Sequence, residues 1–130
     1  MAAPVRILVV DDEKLQREIL SEHLSTCGYE INLAENGEKA LAALKDPAQI
    51  FDLVLTDLKM PGIDGIEVVK KGRDISPDTR FLVATAHGSI DTAIQAIKAG
   101  ASDYLQKPIE FDDLDHRLRQ IWQDRPLQTL

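Results

Sequence analysis

Short apolar runs alternate with amphipathic stretches along the whole chain, and the alternation predicts the elements. Val5–Val10 reads as a buried strand. Leu15, Ile19, Leu20 and Leu24 follow at helical spacing, and Gly28 supplies a stop. Tyr29–Ala34 reads as a second strand, and Asn36 can cap a helix carrying Ala40, Leu41 and Leu44, with Pro47 beyond it. Phe51–Thr56 is the third strand, and "DLKMPGIDG" is a Pro/Gly loop leading into a helix from about Asp64. Arg80–Ala84 is the fourth strand. Ser89 can cap the next helix, where Ile90, Ile94 and Ile97 share a face and Gly100 ends it. Asp103–Leu105 is a short fifth strand, and Phe111, Leu114, Leu118 and Ile121 mark the last helix. Strands without clean alternation are buried on both faces, as in parallel sheets. Five strand–helix pairs therefore predict a doubly wound α/β fold, a five-stranded parallel sheet with helices on both faces.

In such a sheet ligands sit outside the carboxyl ends of the strands. The first strand ends in Asp11, Asp12 and Glu13, the third in Asp57, the fourth in Thr85, and the fifth leads to Lys107-Pro108. Adjacent ionised carboxylates repel, so a cation is expected among them. An oxygen-rich site suits a hard ion, and Mg²⁺ binds through one or two carboxylates while keeping waters for a phosphate. Taken singly, each residue has a plainer reading. The acid pair can be a solvated turn at the start of a helix, Asp57 a turn former, Thr85 a strand former and Lys107 a snorkelling surface group. It is their coincidence on one rim that points to chemistry.

Composition narrows the classes. The chain of 130 residues carries a net charge of −7, which disfavours direct binding to a phosphate backbone. No apolar run is long enough to span a bilayer, and the N-terminus does not read as a signal peptide, so a cytoplasmic location is expected. The single cysteine, Cys27, cannot form an internal disulfide and has no apparent partner base, so it reads as a structural thiol. His23 and His116 read as wet helix residues without metal-ligand spacing.

The segments "VVDDE", "LVLTDLKMPGIDG", "VATAHG" and "DYLQKPI" occur in order and at characteristic separations. Through them the chain resembles the receiver domain of bacterial two-component response regulators over residues 5–122. The resemblance implies a flavodoxin-like (βα)5 fold with strand order 2-1-3-4-5. It implies one receiver domain over residues 1–123, with 124–130 as a C-terminal tail or linker stub. It also implies site roles. Asp57 would be the phosphoacceptor, attacking the phosphohistidine of a sensor histidine kinase. Asp12, Asp57 and the Lys59 backbone carbonyl would ligate Mg²⁺, with Asp11 acting through water. Lys107 would pair with Asp57 before transfer and with the phosphoryl oxygens after it, and Thr85 would donate its hydroxyl. Small Ala86 leaves room for the phosphate, while Lys59 and His87 occupy positions that tune hydrolysis. The Lys107–Pro108 bond is expected to be cis.

Signalling would follow the family's route. Thr85 would move toward the phosphate, and Tyr104 on the fifth strand would fill the vacated space. The surface of the fourth helix, fifth strand and fifth helix would then change, and with it control of an output domain or partner. Tyr104 also fits a second reading, an aromatic packing at the core edge. Ala93, Ala96 and Ala99 would permit close approach by a partner helix or a second receiver, or are simply good helix formers. "TAHGSIDTAIQAIKAGASDYLQKP" is most similar to receivers of the NtrC type, which implies transcription regulation. Two other readings compete. One is a phosphate-independent interaction module. The other is a Mg²⁺-dependent phosphohydrolase, for which no insertion is long enough to form a cap. On the first reading the chain is not an enzyme; it catalyses only its own phosphotransfer and autodephosphorylation. One departure stands out: Gly72 falls where receivers carry a large apolar residue, and it predicts an irregular "KKGRDIS".

Overall fold

The computed structural model describes residues 4–86 and 90–123. Ten elements alternate: β1 (Arg6–Val10), α1 (Lys14–Thr26), β2 (Glu30–Ala34), α2 (Gly37–Lys45), β3 (Leu53–Asp57), α3 (Gly65–Ile75), β4 (Arg80–Thr85), α4 (Ile90–Ala99), β5 (Asp103–Gln106) and α5 (Phe111–Gln123). The strands pair in parallel in the order β2-β1-β3-β4-β5. The doubly wound sheet expected from the apolar pattern is therefore the fold. Its C-terminal rim carries Asp11, which follows β1, together with Asp57, Thr85 and Lys107, which closely follows β5.

Each face of the sheet has its own core. Leu20 and Leu24 of α1 and Leu114, Leu118 and Ile121 of α5 pack on Ile7, Val9, Leu53, Leu55, Leu82 and Leu105. The opposite face buries Leu41 and Leu44 of α2, Val68 and Val69 of α3 and Ala96 of α4 against Leu8, Val10, Val54, Phe81 and Val83. Alternate residues of each central strand thus serve opposite cores, which is why β1, β3 and β4 show no polar face, whereas the edge strand β2 carries Glu30 and Asn32 on one side. Trp122 sits at the edge of the first core, its indole N–H donating to Tyr29 Oη at 3.1 Å.

Caps set the helix starts. Asn36 accepts from the Lys39 N–H at 2.8 Å, and Asp64 accepts from the Glu67 N–H at 2.9 Å. The expected Ser89 cap, His87 and the tail 124–130 lie outside the described residues.

Three expectations need correction. The segment around Gly72 is not irregular, because α3 runs unbroken from Gly65 to Ile75. Gly72 is buried, and a Cβ there would lie 2.6 Å from Phe81 Cζ and 3.1 Å from Leu44 Cδ1. The glycine is a slot for the Phe81 ring, and packing outweighs the low helix propensity. The α4 faces are also reversed relative to a small-residue docking face. Ala93 and Ala96 are buried, whereas Ile90, Ile94 and Ile97 are 76%, 45% and 46% exposed. Small residues let α4 lie close to the sheet, and the isoleucines are left pointing outward. Finally, His23 is not a wet helix residue. It is largely buried, stacks on Phe111 with ring centroids 3.9 Å apart, and bonds Asp115. His116 is exposed as expected.

Candidate phosphoacceptor site

The chain reversal after each strand delivers one functional group to the rim. At the end of β1, Asp11 turns its carboxylate inward and is 2% exposed. Its Oδ1 accepts the Glu13 N–H at 2.9 Å, a local turn that opens α1, and its carbonyl accepts from Arg17 Nη1 at 2.7 Å. Asp12 and Glu13 are exposed. At the end of β3, Asp57 pairs in register with Ala84 and is 9% exposed. The following loop folds back tightly: the Leu58 N–H donates to the Ala84 carbonyl at 2.8 Å, and the Gly65 N–H to the Leu58 carbonyl at 2.7 Å. A Cβ at Gly65 would sit 2.4 Å from the Asp57 carbonyl oxygen, so only glycine allows α3 to start this close to β3.

Lys107 closes the site from the far side. Its backbone N–H donates to the Thr85 carbonyl at 2.8 Å, and the Lys107–Pro108 peptide is cis. The ammonium lies 3.1 Å from Asp57 Oδ2 and 3.2 Å from Asp11 Oδ2, shared between two carboxylates of different strands. Thr85 is buried at the end of β4, one residue past the Asp57 pairing position. Lys59 and Ala86 are exposed beside the site. Carboxylate oxygens of Asp11, Asp12 and Asp57 all lie within 4.8 Å of one another.

The electrostatics are unequal. Burial pushes the Asp57 carboxyl above its usual range; Lys107 pulls it down without cancelling that effect, and Asp11 and Asp12 add to the rise. Burial works against the Lys107 ammonium too, but hydrogen bonds and charge from Asp57 and Asp11 outweigh it and raise its pKa. The pocket thus gathers three carboxylates around one ammonium. An all-oxygen donor set with surplus negative charge fits a hard divalent cation.

The sequence profile of the response regulator receiver domain matches residues 7–119. The chain belongs to this family. It is 46% identical over 110 residues to a transcriptional regulatory protein ZraR of Klebsiella oxytoca, covering 85% of this chain and 24% of that protein. It is 41% identical over 118 residues to the response regulator MprA of Mycolicibacterium vanbaalenii, covering 91% of this chain and 50% of that protein. The receiver therefore spans a quarter to half the length of these relatives. Among solved structures, a CheY-like receiver domain protein of Methanospirillum hungatei superposes with a TM-score of 0.84 at 28% identity, covering 91% of this chain and 93% of that one. The response regulator TrrA of Thermotoga maritima, solved in complex with Mg²⁺-BeF, has a TM-score of 0.79 at 40% identity, covering 89% and 97%.

Tyr104 lies on β5 with the Arg117 guanidinium 5.5 Å from its ring centre, beside a cavity of about 430 Å³ that Ile90, Ile94 and Ile97 also line. Sequence reasoning missed that Asp11 is the second carboxylate held by Lys107. Its signal was present in the "DDE" run, but which acid turns inward depends on the local turn at Glu13. Among the described residues no helix is long and apolar enough to cross a membrane.

Proposed function

We propose that this receiver is a phosphorylation-activated switch that takes a phosphoryl group on Asp57 from a sensor histidine kinase. The observation carrying this reading is the Lys107 ammonium shared between Asp57 and Asp11 in a buried, acid-rich rim. Asp11, Asp12, Asp57 and the Lys59 carbonyl would hold Mg²⁺, Asp11 through water. When bound, the ion supplies positive charge that offsets the acids and the phosphoryl oxygens.

The chain's own residues do the rest. An Asp57 oxygen attacks phosphorus, and the P–N bond of the phosphohistidine breaks, its electron pair returning to the imidazole. Lys107 is already within hydrogen-bond reach of Asp57, so it can follow the developing charge onto the phosphoryl oxygens with little movement. The Thr85 hydroxyl donates to the same group, and Ala86 leaves space for it. Lys59, exposed beside the site, and His87 would tune the rate of hydrolysis. The receiver acts on no outside substrate; transfer to itself and its own hydrolysis complete its chemistry.

The signal leaves through α4, β5 and α5. Movement of Thr85 toward the phosphate would draw Tyr104 inward and reshape the cavity beside α4. That surface would control an output domain or partner in transcription, as in a transcriptional regulatory protein such as the ZraR relative, and would allow a receiver dimer.

Intact-protein mass after incubation with acetyl phosphate and Mg²⁺ tests the reading. One added phosphoryl in wild type, absent in Asp57→Asn and in EDTA, is the expected result. No gain with either acetyl phosphate or a phosphorylated histidine kinase, in folded protein, would overturn it in favour of a phosphate-independent module. Steady turnover of a phosphate ester without modification would favour a hydrolase.

A further inference from the structure

A second group of metal-ligating side chains lies away from the phosphoacceptor rim. His23 and Cys27 are four residues apart at the end of α1, on one helical face, and Asp115 reaches them from the second turn of α5. His23 Nε2 is 2.8 Å from Asp115 Oδ1; Cys27 Sγ is 3.7 Å from His23 Nε2 and 4.0 Å from Asp115 Oδ1. We infer that His23, Cys27 and Asp115 form a binding site for a zinc-like transition-metal ion that staples α1 to α5.

The donor triangle carries the inference. Tetrahedral zinc with ordinary bond lengths holds imidazole nitrogen and carboxylate oxygen about 3.4 Å apart, and thiolate sulfur about 3.6 Å from each. The observed edges differ from those by about 0.6 Å or less, within reach of small side-chain rotations. The mixed nitrogen, sulfur and oxygen set selects zinc or cobalt over Mg²⁺, which wants oxygen alone. Three protein ligands leave a fourth position for water, and the exposed Cys27 side gives the ion a path in.

The imidazole is pre-aimed. Its ring lies flat on Phe111, with an interplanar angle of 6°, which fixes the direction of Nε2 toward Asp115. His23 sits nine residues into α1 from Lys14, about 14 Å along the helix axis from its phosphoacceptor end. The two sites are therefore separate in space as well as in donor chemistry.

Because Cys27 is the only cysteine, a thiolate–cobalt signal reports this site alone. The full chain is titrated with Co²⁺, then Zn²⁺, with millimolar Mg²⁺ present to occupy the acidic rim. The expected result is a near-ultraviolet thiolate-to-cobalt charge-transfer band, saturating at one ion per chain, with the complex sedimenting as a monomer. Zn²⁺ should abolish the band by displacement. Cys27→Ser should remove it, and Asp115→Asn should weaken binding by at least the roughly tenfold that loss of an outer-shell partner costs. Both substitutions are partly or fully exposed, and circular dichroism checks their fold. No band in wild type, a half-equivalent complex made by pairing two chains, or a band of unchanged strength and affinity in Asp115→Asn would each overturn the inference.

Discussion

Replacing Asp57 by Asn should stabilise the folded receiver while removing its chemistry. The carboxylate oxygens of Asp11, Asp12 and Asp57 lie within 4.8 Å of one another, and Lys107 is 3.1 Å from Asp57. At an effective dielectric of about 20, a like-charge pair at that separation costs about 3.5 kcal/mol, and the Lys107 contact contributes about 5 kcal/mol. Asp12 is exposed, so solvent screens most of its share. The charges around Asp57 therefore nearly balance, and the cost of burying an ionised carboxylate is left over. This agrees with the upward displacement of its pKa, whose largest cause is burial. An amide of the same shape removes that residue of cost and still accepts from Lys107. The expected gain is on the order of 1–2 kcal/mol near neutral pH. For a domain of this size that raises Tm by about 3–8 °C.

The pH dependence separates this cause from ordinary packing. A folded-state pKa above the ordinary 3.8 means that Asp57 favours folding in its neutral form. Its contribution is fully present below 3.8 and is lost as pH rises through the folded pKa. Wild type and Asp57→Asn should therefore converge at acid pH and diverge toward neutrality. Urea unfolding followed by circular dichroism between about pH 4 and pH 8, in EDTA, measures the difference directly. Adding millimolar Mg²⁺ should narrow the gap by stabilising wild type more than the variant. A variant no more stable than wild type at neutral pH would refute the reasoning, as would an advantage that persists unchanged at acid pH.

Three further outcomes are expected. Lys107→Met leaves Asp11 and Asp57 without their shared cation, and should destabilise by about 1.5–3 kcal/mol at neutral pH, with the loss shrinking in acid, by urea denaturation. The rate of phosphoryl uptake from acetyl phosphate, read by intact mass, should fall as pH drops through the raised Asp57 pKa, because the neutral acid is not a nucleophile. Gly72→Ala should destabilise despite better helix propensity, since overpacking of about 1–3 kcal/mol outweighs a gain of about 1 kcal/mol; adding Phe81→Leu should recover much of the loss in a double-mutant cycle.

Much of the rim was legible because parallel topology places every strand end on one side. Once Val5–Val10 and Phe51–Thr56 were read as strands, Asp11 and Asp57 had to meet near the same edge. What could not be read was which acid turns inward. Asp11 and Asp12 are chemically identical in a string, and the choice between them rests on the Asp11 carboxylate accepting the Glu13 N–H. The cluster of His23, Cys27 and Asp115 was hidden for a related reason. The four-residue spacing on α1 was visible, but its third member stands 88 residues from Cys27 and is brought in by the packing of α5.

The two packing misreadings share one cause, and it bears on function. Periodicity shows that a helix has a stripe, but not whether the large or the small stripe faces the sheet. In α3 the small residue admits Phe81, and in α4 Ala93 and Ala96 let the helix settle close to the core. Gly72 is thereby explained completely, because its missing side chain is filled by a neighbour. The α4 arrangement is not closed in the same way. Its inner face is complete without Ile90, Ile94 and Ile97, which remain exposed around the cavity beside Tyr104. Three β-branched apolar residues left half to three-quarters exposed forgo much of the stabilisation that full burial would give. They form one apolar patch, and they lie on the surface that the proposed switch would alter. The residues that core packing leaves unexplained are thus those that the signalling reading needs.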